Sequence, residues 1–240
     1  MYFEDPDYYE SHQKDNIHYF IFLFKLEIYE NYIYKLEELI ENEVSTTERD
    51  VEERIALIPE NKKEAIRSAL YDIDHFHLKY SYPPLLRKSL FISIYSYLEI
   101  ELNNICNEIK ESKNLLLSVK DIKGNGIERA GTYLTKVVQI DTPFLTPLWK
   151  QVKSLNEIRN FFVHDNGDKV HSSQHKQLIA SLKLFVPHIR LYEPNDGEYG
   201  IELEKEFCFI AIKTIKDFLK TVINSVLDAG IPLFKADADS

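Results

Sequence analysis

Glycine and proline are scarce, seven and nine in 240 residues. A β fold built on many turns needs more of both, so the scarcity favours long helices. Cysteine is nearly absent. Cys106 and Cys208 both fall in apolar helical pattern, which reads as two reduced core thiols of a cytoplasmic protein rather than a disulfide or a metal pair. No long hydrophobic run exists. The most apolar stretch, Ile17 to Phe24, spans about 8 residues before Lys25 and Glu27, too short to cross a bilayer. The acidic, aromatic start (Tyr2, Phe3, Glu4, Asp5, Asp7) resembles no secretory signal, and no membrane partner is expected. Positive charge is also short. A net charge of −10 argues against a general nucleic-acid coat protein.

The charge is uneven. Residues 1–60 hold 16 Asp and Glu against 5 Lys and Arg, whereas residues 149–190 hold 7 Lys and Arg against 3 Asp and Glu. A site that accepts phosphate fits the second segment; the alternative is that these side chains only solvate two helices. A hydrophobic fraction of 44% supplies a sizeable core. The chain reads as an N-terminal helical extension over 1–60 and a helical domain over 61–235, forming one compact unit together.

The predicted fold class is all-α, a helical bundle with a small β-hairpin before the last helix. Residues 15–43 read as a long amphipathic helix with Ile17, Phe20, Ile21, Phe24, Ile28, Ile33, Leu36 and Ile40 near one face. Ser45-Thr46-Thr47-Glu48 reads as a break, with a short helix from there to Pro59. Asn61 to about Ser81 is predicted helical, with Ala65, Ile66, Ala69, Leu70, Ile73 and Phe76 inward. His75 and His77 point to different faces, in solvent or capping roles, so they form no joint metal site. Pro83-Pro84 ends that helix and starts the next, Leu85 to about Ser112. Gly124-Asn125-Gly126 marks a turn before a helix over Ile127 to Ile140. It follows no strand, so it is not a nucleotide loop. His171 to Phe185 reads as a helix. His171 and His175 lack the third ligand of a metal site. Two short runs, 188–192 and 199–203, flank Pro194-Asn195-Asp196-Gly197 and predict the hairpin. Glu204 to about Leu227 is the last helix.

The stretch Leu155 to Gly167 organises the functional reading. Leu148, Val152, Leu155, Ile158 and Phe162 recur at the spacing of one helical face, and Gly167 reads as a left-handed cap. Arg159 falls within that apolar stripe, and Asn160 and His164, four apart, share its flank. An arginine cannot be buried unpaired without a cost of several kcal/mol. Either a buried carboxylate meets it in a structural ion pair, or it belongs to an anion site beside His164, histidine being the side chain that titrates near neutral pH. On the helix from Leu85, Glu101 projects toward the edge of the apolar face and Glu99 lies off it, so helical geometry nominates Glu101 as the partner.

Arg159-Asn160-x-x-x-His164 near the end of a late helix, followed by Asp165-Asn166-Gly167, resembles the signature of HEPN-domain proteins. The resemblance covers roughly residues 85–230 and is strengthened by the long earlier helix with a mid-helix Glu. These are all-helical domains, many of them metal-independent ribonucleases of toxin–antitoxin and phage-defence systems. The resemblance implies RNA as substrate, no cofactor and no metal. It further implies a symmetric homodimer whose two motifs face one cleft, and an antitoxin or defence-system partner protein. Its Leu98-Glu99 step points to Glu99, not Glu101, as the acid of the site, and both are retained as candidates with Arg159, Asn160 and His164. Arg159 would stabilise phosphate charge, His164 would move protons, and Asn160 would orient phosphate or imidazole. Phe161, away from the core stripe, is expected at the dimer interface. The family also holds inactive members, so a non-catalytic helical dimer that binds RNA or protein is the alternative. Where one group of HEPN toxins carries a modified Tyr just before the His, this chain has Val163. The acidic first 60 residues lie outside the shared core, as either an autoinhibitory mimic of nucleic acid or a solubilising extension.

Overall fold

The computed structural model describes residues 17–71, 73–164, 169–171, 173–195 and 197–233. Its helices are α1 (Ile17–Ala56), α2 (Lys63–Leu70), α3 (Ile73–Phe76), α4 (Tyr82–Ser112), α5 (Gly126–Lys136), α6 (Pro147–His164), α7 (Lys176–Lys183) and α8 (Phe207–Asp228). The strands are β1 (Lys169–His171), β2 (Ile189–Asn195) and β3 (Glu198–Leu203). The fold is all-α with one small antiparallel sheet of order β1-β3-β2 before the last helix. The hairpin register pairs Leu191 with Ile201 and Tyr192 with Gly200, and β1 adds Val170 opposite Tyr199.

The core is one contiguous cluster whose centre is α4 against α8. Leu90, Phe91, Ile94, Leu98, Leu102, Ile105 and Ile109 of α4 are buried at helical spacing, and Ala211, Ile212, Ile215, Leu219 and Val222 answer them from α8. Both cysteines are buried and free. Burial pushes each thiol up to about 12, so both stay protonated and inert. α6 packs against α8, α7 and α4, and Trp149 near its start stacks on Phe218 with ring centroids 5.2 Å apart.

Several predicted boundaries shift. α1 runs unbroken through Ser45-Thr46-Thr47 for 40 residues. Serine and threonine are weak helix formers, not breakers. Tertiary contacts hold the second half, because Val51 and Ile55 are buried and Glu48 reaches Lys79 at 2.5 Å. The predicted face of α1 is also corrected. Ile33 is buried as expected, but Phe20, Ile21, Phe24 and Ile28 are exposed, and Phe22 and Leu26 are buried in their place. This helix is apolar on two sides, and periodicity alone does not say which side meets the core. Residues 61–81 are not one helix. Tyr71 follows α2 in a non-helical conformation, and α3 passes through a π-helical turn, His77–Ser81, directly into α4. Pro83 and Pro84 sit in the first turn of α4, where a missing N–H costs nothing. The helix predicted to end at Ile140 stops at Lys136.

The stretch from His171 to Phe185 divides into a strand end and the short α7, since β1 pairs with β3. His75 is buried rather than in solvent, 8% exposed, with Nε2 3.5 Å from the Glu48 carboxylate. Phe76, expected inward, is exposed. Phe161 is no interface side chain. It is 4% exposed and packs against Phe162 and the His175 ring, because α7 covers the side of α6 that the sequence leaves open.

Candidate functional site

Pro147 opens α6, with the Thr146 hydroxyl accepting the Trp149 N–H at 3.3 Å. Val152, Leu155 and Ile158 seat the helix in the core. Arg159 follows on the edge of that face. It projects toward α4, which runs antiparallel to α6: Phe162 meets Phe91 at 6.3 Å, and Arg159 lies a turn further along α4, over Tyr95.

Three groups hold the Arg159 guanidinium. Its Nη2 lies 3.6 Å from a Glu99 carboxylate oxygen. Its Nη1 donates to the Asn160 amide oxygen at 3.0 Å. Its Cζ lies over the Tyr95 ring, 6.0 Å from the centroid, within the range of cation–π attraction. The Asn160 amide in turn donates to Asn156 at 3.4 Å, so an amide row runs back along α6. Side chains of Arg159 and Glu99 are 21% and 23% exposed. The pair therefore lies at the surface end of a buried arrangement, and one N–H on each terminal nitrogen remains for an anion. Arg159 Nε is buried with no partner among the described residues, and so is the Tyr95 hydroxyl. Burial raises the Tyr95 phenol far above its ordinary value and the Glu99 charge adds to this, so Tyr95 is a neutral hydroxyl at any working pH.

Glu99 has a second neighbour, the start of α5. A Cβ built on Gly126 would stand 2.4 Å from Glu99 Oε1, and Gly126 has φ +50°. Only glycine gives both that backbone and that approach. The Gly-Asn-Gly signal thus does more than turn the chain.

Glu101 does not meet Arg159. Two residues on a helix differ by about 200° around the axis, so only one of Glu99 and Glu101 can face α6. Phe91, Tyr95 and Glu99, spaced by four, line the side that α6 covers. Glu101 faces α1, whose Lys25 acts on its charge, and Asn104 of its own helix donates to it at 3.5 Å. Burial raises its carboxyl pKa, and Asn104 and Lys25 offset part of the rise. The helical-face argument failed because α4 is covered on several sides and Arg159 approaches from the side away from the widest apolar stripe.

His164 is the last residue of α6 and is exposed, about 7.5 Å further along the axis than Arg159. The predicted Gly167 cap lies outside the described residues. Among the described residues, no three His, Cys, Asp or Glu side chains converge to hold a metal ion. His175 is tied to its neighbour, its Nδ1 lying 3.2 Å from the His171 backbone N–H. No helix among the described residues is long and apolar enough to cross a membrane.

Sequence reasoning missed Tyr95, Gly126 and Asn156. Tyr95 carried a signal, four residues before Glu99 on the same stripe, and Asn156 carried another, four before Asn160. Gly126 carried none, because its neighbour comes from another helix. Against protein-family models, curated proteins and solved structures the chain finds no match, so the reading of this site rests on the chain's own residues and geometry.

Proposed function

We propose that the chain is a metal-independent endoribonuclease of the HEPN kind. The observation that carries the reading is Arg159, held at the surface by Glu99, Tyr95 and Asn160, with an exposed His164 on the same helix end. Cleavage of RNA without a metal needs the 2′-hydroxyl deprotonated, the phosphorane's extra charge stabilised and the leaving 5′-oxygen protonated. The 2′-oxygen bonds to the adjacent phosphorus, the P–O5′ bond breaks, and a 2′,3′-cyclic phosphate and a 5′-hydroxyl result. The planar fork of Arg159 suits the phosphate charge. Glu99 fixes the orientation of that fork, and Asn160 limits its rotation. An imidazole both takes and gives protons near neutral pH, which is the task of His164.

One protomer supplies one such histidine. Base and acid together call for two copies, so the working unit is a homodimer with both α6 ends at one cleft. A role in toxin–antitoxin or phage-defence systems, with a protein partner that restrains or triggers the nuclease, follows from the same reading.

A second reading has its own support. Glu99 already neutralises Arg159, as in a structural pair within a non-catalytic helical dimer that binds RNA or protein. One experiment separates the two. Purified chain is incubated with mixed cellular RNA in excess chelator, beside His164→Ala and Arg159→Ala variants of matched thermal stability. The ribonuclease reading expects 2′,3′-cyclic phosphate and 5′-hydroxyl ends that disappear in both variants. Cleavage that persists in the variants refutes the assigned roles, and RNA binding without cleavage that survives His164→Ala supports the second reading.

A further inference from the structure

Beside the motif, α5, α6 and α7 enclose a cleft of about 330 Å³, at the small end of the range for ligand sites and suited to one nucleoside-sized group. Two serines line it, Ser154 on α6 and Ser181 on α7. Each residue is only 6% exposed, and neither hydroxyl is among the buried polar atoms that lack a partner. They add two small polar side chains to a lining that is mostly polar or charged, which suits a polar occupant.

The other polar groups define that occupant. Asn156 lines the cleft, and its amide oxygen accepts from Asn160, which leaves its NH₂ as a donor. Gln177 donates its NH₂ to Glu157 at 3.0 Å, which leaves its carbonyl as an acceptor. Carboxylates of Glu157 and Glu128 stand at the walls and only accept. Lys150 and Lys153 lie on one side and suit a phosphate. The cleft is joined to the Arg159 site through the amide row Asn156–Asn160–Arg159. Donor and acceptor amides, acceptor carboxylates and flanking ammonium groups together match a nucleotide whose base carries an exocyclic amine, because such an amine donates to carboxylates. Uracil would set a carbonyl oxygen against a carboxylate instead.

We propose that this cleft is a nucleotide subsite for an amino-bearing base, adenine, cytosine or guanine, next to the phosphate that Arg159 contacts. The proposal rests on the ribonuclease reading for its place in a reaction, and its test is a binding measurement that needs no turnover. The full-length His164→Ala chain is titrated calorimetrically with AMP, CMP, GMP and UMP. Saturable binding of the first three is expected, with UMP about tenfold weaker. Gln177→Ala and Glu157→Gln, both at sites outside the core, each weaken CMP by about tenfold, the scale of one hydrogen bond to a charged group. The absence of saturable binding for all four nucleotides overturns the proposal. So does equal binding of UMP and CMP, or CMP binding unchanged in both variants. If CMP binds as expected and RNA is never cut, the subsite stands and the nuclease reading falls. If RNA is cut and no mononucleotide binds, the subsite falls alone.

Discussion

Glu37 of α1 is the most buried acid of the described residues, 2% exposed. Its carboxylate accepts two hydrogen bonds from Arg87 of α4, at 2.7 and 2.9 Å. Arg87, whose side chain is 13% exposed, also donates to the Leu203 carbonyl of β3 at 3.1 Å. One ion pair therefore ties the acidic N-terminal helix to the central helix and to the sheet. Glu37→Ala leaves Arg87 with the Leu203 carbonyl as acceptor and only the field of Glu204 to offset a largely buried charge. Breaking such a pair costs about 3–5 kcal/mol. For a chain of this size each kcal/mol lowers Tm by about 2–4 °C, so a fall of roughly 6–20 °C is expected. The double replacement Glu37→Leu with Arg87→Met removes both charges and keeps apolar volume. It should return to within about 1 kcal/mol of the wild type, because replacing a buried pair by apolar groups is often neutral. Urea unfolding followed by far-UV circular dichroism, on wild type, both singles and the double, measures the coupling. If Glu37→Ala lies within about 1 kcal/mol of wild type, α1 is not held to the core through this pair and the reasoning fails.

Other consequences follow from the same contacts. Gly126→Ala places a Cβ against Glu99 at a positive φ, and a loss of about 1–3 kcal/mol is expected; urea unfolding equal to wild type would show that Glu99 moves away freely. His164→Ala should change stability by less than about 0.5 kcal/mol, as exposed substitutions do, and a large Tm drop would make His164 a structural residue. Glu108 has its carboxyl pKa pushed up to about 7 by burial, with Glu101 and Glu111 adding to the rise. Its folded-state affinity for a proton exceeds that of an ordinary Glu at 4.5. The stability it contributes is therefore present at low pH and is lost as pH rises from there through about 7. Glu108→Gln should flatten that segment of the stability–pH curve, and an unchanged slope by thermal unfolding across the window would refute the assignment.

The sequence by itself determined the class and the anomaly. Few glycines and prolines with apolar residues at helical spacing gave helices, and the turn at Pro194 to Gly197 between β-patterned runs gave the hairpin, found in the structure as β2 and β3. Arg159 on an apolar stripe demanded an acid, since a guanidinium cannot shed its charge. Each of these is a local statement about one segment and its own axis. Tertiary structure decided which acid answers, and it is Glu99 because α6 covers the Tyr95 side of α4 while Glu101 faces α1. It decided which of the two apolar sides of α1 is inside, carried α1 through its serine–threonine stretch, and buried Phe161 beneath α7. It also placed Gly126 against Glu99 and left Ser154 and Ser181 facing a shared cleft. Periodicity fixes an angle around a helix, whereas a contact depends on the neighbour that arrives at that angle, and that neighbour comes from a distant part of the chain.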